Sequence, residues 1–112
     1  MEDRLYNYHA DMCKVFSHPK RLELINVLRN GEMSVNDLSE RLCMEGSNLS
    51  QHLAMMRERR ILVTRKEGNV VYYRIANHRL LTIFDMMREM LFEQIESDAE
   101  LVQARSSKAQ GG

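Results

Sequence analysis

The chain has 112 residues, a length that fits one domain with a modest core. Its hydrophobic fraction of 44% indicates a folded protein, and the lack of an apolar run of about 20 residues predicts no membrane span. No basic stretch followed by an apolar stretch opens the chain, so we expect no secretory signal and a cytoplasmic protein. Two cysteines, Cys13 and Cys43, are too few for a disulfide scaffold and lack the spacing of a structural zinc site.

Charge is balanced over the whole chain but not along it. Lysine plus arginine and aspartate plus glutamate number 16 each. Residues 1–40 hold 5 basic and 7 acidic side chains, residues 41–74 hold 7 and 3, and residues 75–112 hold 4 and 6. A basic middle between acidic flanks is the charge outline of a chain that presents one face to phosphate.

Apolar periodicity and capping residues predict four helices in the first half of the chain. The predicted spans are a first helix over about 3–16, a second from Pro19 to about Gly31, a third from a Ser34 cap to about Cys43, and a fourth from a Ser47 cap to about Arg59. The last two, joined by a tight turn at 45–47, form a predicted helix-turn-helix.

The second half of the chain predicts a hairpin and a long helix. Residues 62–66 and 70–75 are rich in β-branched and aromatic types around Gly68, which is typical of two strands and a tight turn. A final helix is predicted from an Asn77 cap to about residue 102, and a disordered tail over 104–112. The predicted fold is mainly α with a small β-hairpin, in the order α-α-α-α-β-β-α of a winged helix-turn-helix over residues 1–103.

The fourth helix carries the predicted base-reading residues. Leu49, Leu53 and Met56 share its inward face, which leaves polar side chains able to pair with base edges in the major groove. The predicted recognition residues are Ser47, Asn48, Ser50, Gln51, His52 and Arg59. An ordinary solvated helix face is the alternative reading.

Basic residues elsewhere predict contacts to the phosphate backbone. Arg65, Lys66 and Asn69 flank the hairpin tip, and a hairpin of this kind would act as a wing against the neighbouring backbone. Lys20 and Arg21 at the start of the second helix would add phosphate contacts. The alternative is a hairpin that only faces solvent.

Four blocks give the chain a resemblance to a known family. They are SHPKRLELI at 17–25, SVNDL at 34–38, SNLSQHL at 47–53 and VYYRI at 71–75, within a similarity over about residues 10–80. Together they resemble the signature blocks of ArsR-type repressors. The resemblance implies a homodimer built from the first and last helices, bound to a palindromic operator on double-stranded DNA and released by an inducer or oxidant.

The chain departs from the metal-sensing members of that family. Where those members carry a Cys-x-Cys pair, this sequence has Ser34 and Asn36, which provide no thiolate for a soft metal. At the positions of a second familiar site it has Asn77, Arg79, Met90 and Glu93, with only one carboxylate among them. We therefore predict no metal site of either family type and no cofactor. A metal site assembled across a dimer from His9, Cys13 or His78 is the alternative.

The two cysteines leave two readings open. Either they are small, half-buried apolar residues, or they are reactive thiols whose oxidation shifts the helix-turn-helix, because Cys43 precedes the recognition turn.

Two other functions compete with operator binding. A winged helix can also be a protein-interaction module, although Arg59, Arg65 and Lys66 argue against an apolar binding face. An enzyme is not expected, because no nucleophile with a base, phosphate loop or paired carboxylates can be placed.

Overall fold

A computed structural model describes residues 2–110, with side chains over residues 2–103. Its helices are α1 (Glu2–Cys13), α2 (Pro19–Val27), α3 (Val35–Leu42), α4 (Gly46–Glu58) and α5 (Arg79–Gln110), with 3-10 turns at Lys14–Ser17 and Leu28–Asn30. Its strands are β1 (Met33–Ser34), β2 (Leu62–Glu67) and β3 (Val70–Ile75). The chain divides into two compact units, one ending at His78 and one that begins at Arg79. The mainly helical winged helix-turn-helix fold predicted from sequence is confirmed.

The first helix ends earlier than predicted. Its α-helical hydrogen bonding stops at Cys13, and a 3-10 turn carries the chain to Ser17. His18 is extended, with φ −132° and ψ 128°, because the ring of Pro19 disfavours helical geometry in the residue before it. The Nδ1 atom of His18 accepts a hydrogen bond from the N–H of Lys20 at 3.1 Å and so caps α2.

The turn between α3 and α4 uses a cysteine where a glycine is usual. Cys43 adopts left-handed φ 52° and ψ 44°, and the N–H of Met44 donates to the carbonyl of Ser39 at 3.1 Å. This is the pattern of a Schellman cap, which favours glycine at the left-handed position. Gly46, which the sequence placed in the turn, is already the first residue of α4.

One predicted helix cap is confirmed and one is wrong. Ser34 caps α3, and its Oγ accepts from the N–H of Asp37 at 3.1 Å. Ser47 does not cap α4: the N-cap position is Glu45, which makes no side-chain cap bond, and Ser47 lies inside the first turn. The helix begins early because Cys43, not Gly46, turns the chain.

The predicted hairpin belongs to a three-stranded antiparallel sheet in the order β1-β3-β2. In the hairpin, Leu62 pairs with Ile75 and Glu67 with Val70, and the turn has positive φ at Gly68 (59°) but not at Asn69. The third strand was not predicted. Its two residues pair with Tyr73 and Tyr72 of β3 and lead directly into α3, so the sheet and the helix-turn-helix are joined.

A continuous set of apolar side chains holds the first unit together. α2, α3 and α4 bury one face each, and the base of the hairpin contributes Leu62 and Ile75. The residues of the helices and 3-10 turns that are 1% exposed or less are Val15, Leu24, Ile25, Leu28, Leu38, Leu49, Leu53 and Met56. The last three are the inward face predicted for α4. The outward face of α4 is therefore fixed by its packing.

The second unit is the single helix α5. It spans 32 residues, about 48 Å at 1.5 Å per residue, and runs beyond the predicted end near residue 102. Side chains from residue 104 lie outside the described set, so the disordered tail over 104–112 stays a prediction. No helix within residues 2–110 is long and apolar enough to cross a membrane.

Candidate nucleic-acid interface

The start of α4 presents a polar surface. Ser47, Asn48, Ser50 and Gln51 are all exposed, and their side chains have no hydrogen-bond partner among the residues that the structure describes. Amide and hydroxyl groups of this kind can donate to and accept from base edges in the major groove. We call these four residues the reading face.

His52 departs from its predicted place on that surface. It is half-buried, its ring centroid lies 4.5 Å from that of His18, and its Nδ1 is 3.4 Å from Nη1 of Arg21. Burial first, and then the charges of His18 and Arg21, lower the pKa of His52. In this structure His52 faces the start of α2 and lies apart from the reading face.

The two basic residues of α2 are also engaged within the protein. Arg21 donates to the main-chain oxygens of Lys14 at 2.7 Å and Val15 at 3.1 Å. Lys20 pairs with Glu23 at 3.0 Å, and its Nζ lies 3.4 Å from the carbonyl of Leu42 at the end of α3. Both side chains link helices here, and the predicted phosphate contacts would need these bonds to be exchanged.

Arg59 lies at the opposite end of α4 from the reading face. It is the C-cap residue, and its Nε donates to the main-chain oxygen of Asp11 at 3.1 Å. It also lines a cavity of about 520 Å³ with Tyr8, Met12 and Arg60 among its walls. The structure therefore separates Arg59 from the other recognition residues and assigns it to the contact between α4 and α1.

The wing contains an ion-pair cluster that the sequence did not reveal. Nε of Arg65 donates to Glu32 at 3.1 Å, and its Nη1 donates to Glu67 at 2.8 Å. The guanidinium also lies 4.6 Å from the centre of the Tyr72 ring. Hydrogen bonding from Arg65 lowers the pKa of Glu32, and the bonds to Glu32 and Glu67 raise the pKa of Arg65.

The remaining wing residues stay available. Lys66 and Asn69 are exposed, and neither side chain has a hydrogen bond or ion pair among the described residues. The structure thus brings Lys66 and Asn69 together at the wing and ties Arg65, beside them, to two carboxylates. Glu32 was missed because it is 33 residues from Arg65 in the chain, a separation for which the sequence carries no local signal.

Both cysteines are free and exposed. The half-buried reading of Cys13 and Cys43 is therefore wrong. Thiol sensing stays a prediction. The described residues contain no group of three or more histidine, cysteine, aspartate or glutamate side chains that could hold a metal ion.

Comparison with known sequences decides the family. Residues 18–63 match the model described as "Bacterial regulatory protein, arsR family". The transcriptional activator HlyU of Vibrio cholerae is 32% identical over 79 residues, which make up 70% of this chain and 73% of HlyU. The chain belongs to the ArsR family. A second ArsR-type relative, the biofilm growth-associated repressor of Agrobacterium fabrum, is 35% identical over 78 residues, 70% of this chain and 67% of the repressor.

Solved structures show the same ArsR-type fold. The crystal structure of Rv0081 from Mycobacterium tuberculosis superposes with a TM-score of 0.78 at 28% identity and covers 85% of this chain and 96% of its own. A homodimeric winged helix-turn-helix DNA-binding domain from Mycobacterium bovis gives a TM-score of 0.78 at 24% identity. The match covers 86% of this chain and 89% of the M. bovis domain. This ArsR-family chain is a DNA-binding transcription regulator, as the sequence predicted.

Proposed function

We propose that this ArsR-family regulator binds a palindromic operator as a homodimer in the cytoplasm and represses transcription by occupying that site. The reading face carries the proposal. Its four exposed side chains have no partner within the described protein, although polar groups at the start of a helix are usually capped or bonded locally. A groove of DNA would supply the missing partners.

Dimer formation is supported by the exposed apolar side chains of two helices. α1 buries no residue and exposes Leu5, Tyr8 and Met12. α5 exposes a longer set, which comprises Ile83, Met86, Met87, Met90, Leu91, Phe92, Ile95, Leu101 and Val102. Apolar surface of this extent usually marks a protein interface, and a second copy is the occupant that also explains a two-fold symmetric operator.

Binding would combine base readout with phosphate contacts. Asn48 and Gln51 can each form paired hydrogen bonds with adenine, and Ser47 and Ser50 are short enough to let α4 approach the groove floor. Lys66 and Asn69 on the wing would contact the neighbouring backbone and supply salt-dependent affinity. Two recognition helices about 34 Å apart would place one α4 in each of two successive major grooves.

The alternative, a protein-interaction module, fits the observed surface less well. Such a module needs an apolar patch on the recognition helix or wing. The reading face is polar, and the hairpin tip at Lys66–Asn69 is polar or charged. The proposed activity is binding and not catalysis.

The test is fluorescence anisotropy with DNA from upstream of the gene, at about 50 and 200 mM salt, where several phosphate contacts change affinity by orders of magnitude. A scrambled duplex is the control for sequence specificity, and sedimentation velocity gives the oligomeric state of the free protein. We expect a dimer that prefers its own DNA at both salt concentrations. Equal binding to both duplexes, or a monomer throughout, would contradict the proposal.

A further inference from the structure

Two histidines from distant parts of the chain meet around one arginine. His18 precedes α2 and His52 lies on α4, and their ring centroids are 4.5 Å apart at an interplanar angle of 56°. Nη1 of Arg21 lies 3.4 Å from Nδ1 of His52. The rest of the guanidinium is fixed by bonds to the main chain of Lys14 and Val15 and, at 3.3 Å, to the hydroxyl of Ser17.

The hydrogen bonds assign an acceptor role to one nitrogen of each ring. A guanidinium only donates, so a hydrogen bond between Arg21 and His52 requires Nδ1 of His52 to accept. Nδ1 of His18 also accepts, because its partner is the N–H of Lys20 at 3.1 Å. Nδ1 therefore acts as the acceptor in each ring. A proton that bound at Nδ1 would meet an N–H donor there and remove the existing bond.

No described carboxylate forms an ion pair with this cluster. From α2 the charged groups are Arg21, Lys20 and Glu23, and the last two pair with each other at 3.0 Å. In the 3-10 turn, the main-chain oxygen of Lys14 accepts from Arg21. The Nζ of Lys14 pairs with Asp11 at 3.4 Å. From α3 only the main-chain oxygen of Leu42 reaches Lys20. A protonated His52 would thus add a positive charge beside Arg21 with no direct acidic partner.

We propose that His18, Arg21 and His52 form a proton-sensitive latch that holds the DNA-facing helix α4 against the start of α2, and that acidification opens it and weakens DNA binding. The proposal rests on the proposed function, since α4 must be the helix that contacts DNA. His18 and His52 act here as positioning residues and not as DNA contacts. Opening the latch would release the His52 side of α4 from Arg21 and, at the same time, remove the His18 cap of α2.

The direction of the pH effect follows from the docked state, in which His52 holds α4 against the start of α2. Burial and the neighbouring cations lower the pKa of His52, so the docked arrangement binds the proton more weakly than a released histidine does. Its stabilising contribution is complete above the ordinary histidine value of about 6.5 and is lost as pH falls through the lowered value. A histidine that simply touched phosphate would behave oppositely, because its positive charge would strengthen binding in acid.

A bound metal is a poorer explanation of the same geometry. A metal at Nε2 would require the remaining proton to move to Nδ1, and both Nδ1 atoms already accept from N–H donors. Arg21 would also place a positive charge next to the cation. Metal binding would therefore remove hydrogen bonds that the structure contains.

The test measures DNA affinity at pH 7.5 and pH 5.0 for the native protein and for a variant that combines His18→Asn and His52→Gln. Asparagine is a good N-cap and glutamine keeps an acceptor for Arg21, and neither side chain titrates. The readout is the ratio of Kd at the two pH values within each protein. His78→Gln, which removes an exposed histidine elsewhere, is the matched control.

We expect Kd to rise several-fold in acid for the native protein and for His78→Gln, and to change much less in the double variant. An equal ratio in all three proteins would overturn the latch. A native protein that binds more tightly at pH 5.0 would overturn it as well.

A second measurement separates failure of the latch from failure of the proposed function. NMR titration of the native protein follows the rings of His18 and His52 and the amides of α4 without DNA. If no DNA binds specifically at pH 7.5, the proposed function fails, yet the latch still predicts that His52 titrates below pH 6.5 together with shifts along α4. Titration at the ordinary value, with unchanged α4 amides, would exclude the latch.

Discussion

Nε and Nη2 of Arg65 on β2 both donate to the carboxylate of Glu32, at 3.1 and 2.5 Å, across 33 residues of sequence. Glu32 lies in the segment that leads to β1, so this pair fixes the wing arginine to the start of the helix-turn-helix. Because the bonds from Arg65 lower the pKa of Glu32, the carboxylate stays ionised and the pair persists to a lower pH than for an ordinary glutamate. In the free protein, part of the wing's positive charge is therefore neutralised.

Glu32→Gln is expected to strengthen DNA binding. Loss of the carboxylate charge frees Arg65 to contact a phosphate, and we expect Kd to fall roughly three- to tenfold at low salt, the scale of one added ionic contact. The measurement is anisotropy over a salt series, in which the slope should steepen. Glu96→Gln removes one exposed negative charge from α5 and serves as the control. If both variants gain the same affinity for DNA, the effect comes from net charge alone and not from the release of Arg65.

Gln51→Ala and Lys66→Ala should weaken binding in different ways. Gln51 lies on the reading face, so its loss should cost about 1–3 kcal/mol at one base position and relax the sequence preference there. Lys66 lies on the wing, so its loss should weaken all sequences alike and reduce the salt slope by about 1. Affinities for a set of single-base operator variants distinguish the two patterns. A uniform loss for Gln51→Ala would remove it from base readout.

Cys43→Gly should stabilise the protein. Cys43 has φ 52°, a conformation that glycine adopts without the steric cost paid by other residues. We expect the free energy of unfolding to rise by about 0.5–1 kcal/mol in urea titration, partly reduced by the greater freedom of glycine in the unfolded chain. Cys43→Val, which places a branched side chain in the same conformation, should lower it. A stability order with valine above glycine would contradict this account of the turn.

Treatment with an oxidant tests whether Cys43 also senses thiol oxidation. Cys13 and Cys43 are both exposed and free, so both are accessible to hydrogen peroxide. If the thiols regulate binding, oxidation should raise the Kd of the native protein and leave that of Cys43→Ser less affected. Cys13→Ser is the companion variant that shows whether the first thiol is also needed. Equal responses of native protein and Cys43→Ser would dismiss Cys43 as a sensor.

The order of helices and strands could be predicted because each of the longer elements has a local sequence pattern of its own. Apolar spacing and the cap at Ser34 predicted α3, and the strand composition around Gly68 predicted the hairpin. β1 was missed because two residues, Met33 and Ser34, are too few to show a period of two. Ser47 was assigned as a cap because a serine before an apolar run looks the same in sequence whether it lies at the cap or within the first turn.

The candidate site was predictable only where exposure follows from helix periodicity. Asn48, Ser50 and Gln51 lie where that periodicity put them, opposite the buried Leu49 and Leu53. The roles of His52, Arg59 and Arg65 depended on partners 31 to 48 residues away. Polar side chains of this length can bond in several directions, and a single sequence does not show which partner the fold supplies.

The pairing of β1 with β3 makes the wing and the helix-turn-helix one mechanical part. Ser34 pairs with Tyr72 of the wing and caps α3 at the same time, so any displacement of the hairpin pulls on the helix that precedes the reading face. A change that moves the wing would therefore also act on the cap of α3.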